Sequence, residues 1–170
     1  MNLQFYLEKL NASEELKNFL KENPKAFLCS GFIVIDKVGK DNKVHFDYFL
    51  PKEKKIMSFQ LENGVKVIPV EWINNGVPEK IFPDYDFEFS DMEDLIVKRM
   101  EEEKISNKIQ NIIFSLQKVD GKDFLAGTVF ISMLGMIQVK IDLPEKKISE
   151  FEKKSLMDVL KVVKRVEKKK

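Results

Sequence analysis

The stretch "FLAGTVFISMLGMIQV", residues 124–139, carries no charged side chain in sixteen positions. A membrane-spanning helix needs roughly 17–25 apolar residues, so the run falls just short. It is rich in Val, Ile, Phe and Thr, is broken by Gly127 and Gly135, and lies between polar turns. Those features point to two buried strands, or one long bulged strand, in the core of a sheet.

Working outward, the residues before this run are ambiguous by period. Ile109, Ile112, Ile113 and Leu116 sit at helical spacing, whereas Ile112, Phe114 and Leu116 alternate as in a strand. Asp120-Gly121 is a good two-residue hairpin turn and favours the strand over the helix. After the run, Gln138–Leu143 reads as a further strand. Ser155–Val166 reads as a terminal helix with Leu156, Val159, Leu160, Val163 and Val166 on one stripe.

The N-terminal half repeats the theme. Asn11–Glu22 has helical character, with Asn11 and Glu14 spaced as a capping pair and Pro24 closing it. "AFLCSGFIVID" reads as a buried strand, and "KVGKDNK" turns it back into "VHFDYFL", where Val44, Phe46, Tyr48 and Leu50 share a face. Pro51–Lys55 is a charged turn into Ile56–Leu61. Asn63-Gly64 is the strongest hairpin signal in the chain, and Pro69 places the following strand, Val65–Trp72, at an edge. Asn74–Pro83 has the composition of a covering loop. Ser90 is positioned to cap a helix, with Glu93 three residues later and Met92, Leu95, Ile96 and Met100 on its apolar stripe.

The expected fold is therefore a single α+β domain over residues 1–170. It is mainly antiparallel sheet, with an N-terminal, a central and a C-terminal helix packed against it. A two-part organisation, 1–89 and 90–170, is the alternative division. The expected core includes Phe32, Val34, Phe46, Tyr48, Phe59, Leu95, Ile96, Val129, Ile131, Ile141 and Leu160. The element order resembles that of small dimeric chaperone-like and adaptor domains, an analogy of fold alone.

Two segments echo each other: "YFLPKEKKIMSF" from Tyr48 and "KIDLPEKKISEF" from Lys140. Both carry Leu-Pro, Lys-Lys-Ile and a Phe three residues after the Ile. Any strand–turn–strand favours such residues: Pro to break, lysines to solvate, Ile and Phe to re-enter the core. The first copy is expected to continue as strand and the second to pass into helix. Reused turn chemistry, rather than duplication, accounts for the echo.

Composition limits the chemistry. With 34% charged residues against 44% hydrophobic, 170 residues suit a globular chain with one core. The formal charge is +1, which gives no whole-molecule case for nucleic acid or membrane. One cysteine, Cys29, excludes an internal disulfide framework and fits a reducing, cytoplasmic compartment. The N-terminus has no basic region followed by an apolar run, so no signal peptide is read there. One histidine, His45, excludes any multi-His metal site. It lies on the opposite strand face from Val44 and Phe46, beside Asp47, and reads as an exposed strand histidine. Cys29 could pair with it as a nucleophile, but "AFLCSGF" reads as the interior of a sheet, where a thiol behaves as a small apolar group. The seven glycines are scattered singly, so no P-loop, nucleophile elbow or dinucleotide turn is present.

The most informative polar stretch is "DYDFEFSDMED". Asp84, Asp86 and Glu88 alternate with Tyr85, Phe87 and Phe89, so an extended chain puts carboxylates on one face and rings on the other. Asp91, Glu93 and Asp94 follow at a helix start, where the dipole favours negative charge. Oxygen ligands could hold a hard cation, but a calcium loop wants a mid-loop Gly and a terminal Glu, and neither is placed. A solvated edge with inward aromatics accounts for the stretch without a metal. From Asp84 to Glu103 there are nine acidic residues against Lys98 and Arg99, whereas Lys146–Lys170 holds ten basic and four acidic. The near-neutral total hides a dipolar chain.

Three functions follow, with no cofactor and no metal expected for the first two. The favoured one is a non-enzymatic interaction module, adaptor or chaperone-like, acting on another protein or on itself through its sheet edge, a helix face and charged patches. The residues singled out are Asp84, Asp86, Glu88, Lys161, Lys164, Arg165, Lys168 and Lys169. The second is nucleic-acid or anionic-surface binding through the basic C-terminus. The third is a metal-assisted enzyme built on residues 84–94. No transmembrane segment is expected.

Overall fold

The computed structural model describes residues 1–72, 76–85, 87–155 and 157. Where the sequence suggests one N-terminal helix, Asn11–Glu22, there are two, and the first lies almost wholly before Asn11. Helix α1, Leu3–Ala12, is capped by Asn2, whose side chain accepts from the Phe5 amide. Ser13 stops it by donating its own amide to Leu10 O, then caps α2, Glu14–Glu22, by accepting from the Leu16 amide. The cap expected at Asn11 is thus corrected to Ser13, a residue free to be extended between two helices. Leu3, Leu7 and Leu10 give α1 its buried stripe, and Leu16 anchors α2.

Eight antiparallel strands form one sheet in the order β4-β3-β2-β1-β5-β6-β7-β8. They are β1 Phe27–Asp36, β2 Lys43–Leu50, β3 Lys55–Gln60, β4 Lys66–Val70, β5 Ile109–Val119, β6 Lys122–Ile131, β7 Gly135–Asp142 and β8 Lys147–Ser155. Two four-stranded meanders meet where β1 pairs with β5, and α3, Phe89–Glu102, lies between them in sequence. Residues 109–119 are strand, as the Asp120-Gly121 turn implies, and residues 124–139 are the β6–β7 hairpin. Both edges are protected. β4 carries Pro69, and β8 is "KISEFEKKS", in which charges interrupt any apolar row.

All three helices pack on one face of the sheet, over a core that draws on both meanders. Ile33, Phe46, Phe59, Phe114, Leu125, Val129, Ile131, Ile137 and Ile141 meet Leu3, Leu10, Met92 and Ile96 there, all at most 1% exposed. Two glycines let large rings lie flat on this face. A Cβ on Gly31 would touch the Phe46 ring at 3.4 Å, and one on Gly127 would meet Phe114 at 3.2 Å and Val139 at 2.5 Å. In each case the glycine sits directly across the ladder from its ring.

Several expectations need correction. Phe32 and Val34 are half-buried on the other face; the core residues of β1 are Leu28, Ile33 and Ile35. A bulge between Leu28 and Ser30 shifts the parity, and a strand apolar on both sides gives the sequence no sign of it. Leu95 is half-buried against the core. Helix α3 starts at Phe89 with Glu88 as its N-cap and no side-chain cap bond, so Ser90 is already helical. The anticipated passage into helix after "LPEKK" is instead β8, which runs to Ser155. Leu160 and most of the expected terminal helix lie outside the described residues.

With β8 in place, the echoed segments are the same turn used twice. Leu50 pairs with Lys55 and Asp142 with Lys147, each enclosing four residues that end on a lysine in the left-handed region, Lys54 (φ 50°) and Lys146 (φ 51°). Phe59 and Phe151 then both turn to the core. The turns join the second and third strands of one meander but the third and fourth of the other, so they are not equivalent by the sheet's symmetry.

Candidate functional site

The face of the sheet away from the helices holds the arrangement with most chemistry. The bulge turns Cys29 toward it, into a cluster with Phe49, Ile56, Phe27 and Trp72. Trp72 packs edge-on against Phe49 at 6.1 Å and donates Nε1–H to Gly76 O at 2.9 Å, which holds Gly76 over this corner. The chain then wraps round the end of the sheet, where the Ile81 amide donates to Leu28 O at 2.9 Å and Ile81 enters the core. Between this loop and strands β1 and β5 lies a cavity of about 440 Å³, lined by Cys29, Ser30, Trp72, Ser115, Gln117 and Lys118 among others.

Its polar groups are largely committed to one another. Ser30 Oγ donates to Asp47 Oδ2 at 2.6 Å, Gln117 Nε2 donates to Ser115 Oγ at 2.9 Å, and Cys29 Sγ donates to the Asp47 carbonyl at 3.3 Å. Burial, reinforced by the Asp47 charge, pushes the Cys29 thiol up to about 12. A thiol so placed stays protonated at neutral pH, and the thiolate is the nucleophile. His45 does lie on this face, but its Nε2 meets Glu62 Oε1 at 2.7 Å and its ring lies 5.7 Å from Phe32. It is half-buried and partnered rather than a free exposed histidine, and Cys29 and His45 bond to different groups. The corner can hold a ligand through shape, apolar contact and a few hydrogen bonds.

The acidic stretch keeps the alternation its sequence implies. Asp84 and Glu88 are exposed while Phe87 and Phe89 are buried; Asp86 lies outside the described residues. Glu88 joins Asn2 in an isolated bridge and receives the N-terminal ammonium at 3.3 Å. Glu93 pairs with Lys37 at 2.8 Å. Among the described residues no group of three His, Cys, Asp or Glu side chains is arranged to hold a metal ion. Lys161, Lys164, Arg165, Lys168 and Lys169 all lie outside the described residues.

One polar centre escaped the sequence reading. Tyr85 donates its hydroxyl to Asp123 Oδ2, while Asp123 Oδ1 is buried without a hydrogen bond, Lys118 Nζ standing 3.7 Å away. Burial first, then the hydrogen bond to Asp123 and the charges of Asp123, Asp142 and Asp84, raise the Tyr85 phenol well above its ordinary value. The available signal was the Asp120-Gly121 turn, whose register sets Lys118 opposite Asp123. Tyr85→Phe should lower stability by about 1–3 kcal/mol, because it strips a half-buried carboxylate of its one hydroxyl donor. Urea unfolding measures this, and a loss under about 0.5 kcal/mol would show the carboxylate to be solvated instead.

No protein-family model matches this chain. No curated protein matches it either. A solved structure does: the crystal structure of a putative lipoprotein from Clostridium difficile 630 is similar with a TM-score of 0.57. The likeness covers 83% of this chain and 91% of that one at 9% identity, and it is a likeness of fold. No helix among the described residues is long and apolar enough to cross a membrane.

Proposed function

We propose that this chain is a non-enzymatic interaction module, an adaptor or chaperone-like α+β domain that holds another protein against the uncovered face of its sheet. The observation that carries the reading is the asymmetry of that sheet. Three helices bury one face, while the other presents Phe32, Val34, Ile113 and Phe130, half-buried, with no described helix over them. Apolar surface of this kind, rimmed by Lys43, Gln138 and Glu152, suits a protein partner. The cavity beneath Trp72 adds a recess for an anchoring side chain. The compartment proposed is the cytoplasm, on the strength of a single buried thiol.

The test is a Phe32→Glu/Ile113→Glu variant that keeps its circular dichroism and thermal transition. Proteins, or a second copy of the chain, retained by the wild type at moderate salt should be lost by the variant. Equal retention by both would move the partner off this face. A reproducible turnover abolished by His45→Ala would overturn the non-enzymatic reading altogether. Composition alone supports the second reading, anionic partners bound through Lys161, Lys164, Arg165, Lys168 and Lys169.

A further inference from the structure

Glycine or a polar residue supplies the left-handed backbone at most turns of the sheet: Asp120 (φ 52°) and Gly121 (φ 73°) at β5–β6, Gly64 (φ 86°) at β3–β4, Lys54 (φ 50°) at β2–β3 and Lys146 (φ 51°) at β7–β8. Glycine and aspartate suit that conformation, and the lysines keep a solvated head. The β6–β7 hairpin makes the same demand of Met133 (φ 64°) and Leu134 (φ 56°). Both are bulky residues, for which the conformation is strained. They gain no packing in return, being 90% and 62% exposed. Strain and solvent-facing apolar surface coincide where Asn-Gly would serve the fold better.

The tip has company at its end of the sheet. Val38, in the β1–β2 turn, is 73% exposed, and Met157, just past β8, is 52% exposed. The strand order β1-β5-β6-β7-β8 sets these residues along one line, roughly 20 Å long at about 4.8 Å per strand. Lys40, Lys104 and Lys108 are exposed at this end without an ion pair among the described residues. Of the acids nearby, Asp41 pairs with Lys43 at 3.7 Å, Glu93 with Lys37 at 2.8 Å and Glu103 with Arg99 at 2.8 Å, while Asp36 accepts from the Val38, Gly39 and Asp41 amides and Glu101 is exposed. β8 ends at this end with Ser155, and the sequence after it, residues 156–170, holds six basic and two acidic side chains.

We infer that this end of the sheet docks on an anionic lipid surface, the Met133–Leu134 tip entering the headgroup layer with the lysines resting on it. The exposed apolar residues sit on separate tips, and the recess nearest them, lined by Val97, Met100, Ile105 and Lys108, takes in none of Val38, Met133, Leu134 or Met157. A fluid interface accepts separate tips, and it rewards an apolar insertion combined with basic charge more than either alone. Nucleic acid would use the lysines and leave the strained tip without purpose. This site is independent of the uncovered face, so the two readings stand or fall separately.

The full-length protein should float with phosphatidylcholine vesicles containing phosphatidylserine, and remain unbound with phosphatidylcholine alone or in high salt. The decisive variant is Met133→Asn/Leu134→Gly, which supplies residues suited to the backbone. It should melt at or above the wild-type temperature while its partitioning onto anionic vesicles falls by about tenfold or more. Lys40→Glu/Lys108→Glu should weaken binding and flatten its salt dependence. Wild-type protein that ignores anionic vesicles overturns the inference. So does a tip variant that binds equally, which would assign binding to residues 158–170, or one that unfolds, which would make the tip a part of the fold.

Discussion

Replacing Phe46 with alanine is expected to lower the unfolding free energy by about 3–5 kcal/mol, as for other fully buried phenylalanines. Phe46 is 0% exposed and lies between Gly31 on one neighbouring strand and Phe59 on the other. The glycine is the reason the loss should sit high in that range. On that side no side chain exists to relax into the space the ring leaves, and Phe59 is held by edge-on contacts to Phe19 at 5.2 Å and Tyr48 at 5.3 Å. Ile131→Ala, at the far side of the same core, should cost about 2–5 kcal/mol, since Ile131 is 1% exposed and closes over Gly135. Phe5→Ala is the control: at 60% exposed it should change stability by no more than about 0.5 kcal/mol. Chemical denaturation of the three variants settles the matter. Losses under about 1 kcal/mol at both Phe46 and Ile131 would mean that the helix-covered face is assigned to the wrong side of the sheet.

That prediction rests on a face readable without coordinates. β2 alternates cleanly, with Val44, Phe46 and Tyr48 inward and Lys43, His45 and Asp47 outward, because one face of the strand meets helices and the other does not. β1 fails the same reading. Phe27, Cys29, Phe32 and Val34 make its second face as apolar as its first, so alternation carries no information, and the bulge then reverses the parity near Cys29. Helix ends were hidden for a related reason. Asn11, Ser13 and Ser90 are all competent caps, and tertiary contacts rather than composition choose among them. Glu88 opens α3 because the Phe89 amide is taken by Met1 O at 2.8 Å.

Of the site's chemistry, the burial of the Cys29 thiol was legible, since it followed from the thiol's apolar neighbours. Positive features needed three dimensions. Glu62 reaches His45 only because β3 returns beside β2, and Trp72 reaches Phe49 only because β4 pairs beyond β3. Met133 and Leu134 read as part of an uncharged core run. Their exposure appears only once the hairpin folds at residues 132–134 and carries them out of the sheet. Hydropathy measures what a residue prefers, and a strained turn is where the fold can override that preference.

Alkaline titration should expose the uncovered face's corner more sharply than any substitution there. Burial raises the Cys29 thiol from 9.0 to about 12, with the Asp47 charge acting in the same sense, and burial raises the Tyr48 phenol from 10.0 to about 12. Tyr85 is shifted the same way, though solvent screens it. Below about pH 8 both the folded and the unfolded chain keep these protons, so the groups add no pH dependence there. As pH rises past the unfolded values, the unfolded chain releases protons that the folded chain still holds, and stability falls. By linkage the thiol removes roughly 3 kcal/mol and the Tyr48 phenol roughly 1 kcal/mol between pH 8 and pH 11. Against a total of about 5–15 kcal/mol, that should bring the midpoint of urea unfolding down steeply over this interval. Cys29→Ala separates the thiol from the rest. It should cost little at pH 7 yet lose stability less steeply above pH 9, so that wild type and variant converge or cross as the solution becomes alkaline. The thiolate's ultraviolet absorbance should appear in native protein only with unfolding. A thiolate signal near pH 9 in folded protein, with parallel stability curves for the two proteins, would place Cys29 in contact with solvent and return it to the candidates for nucleophilic chemistry.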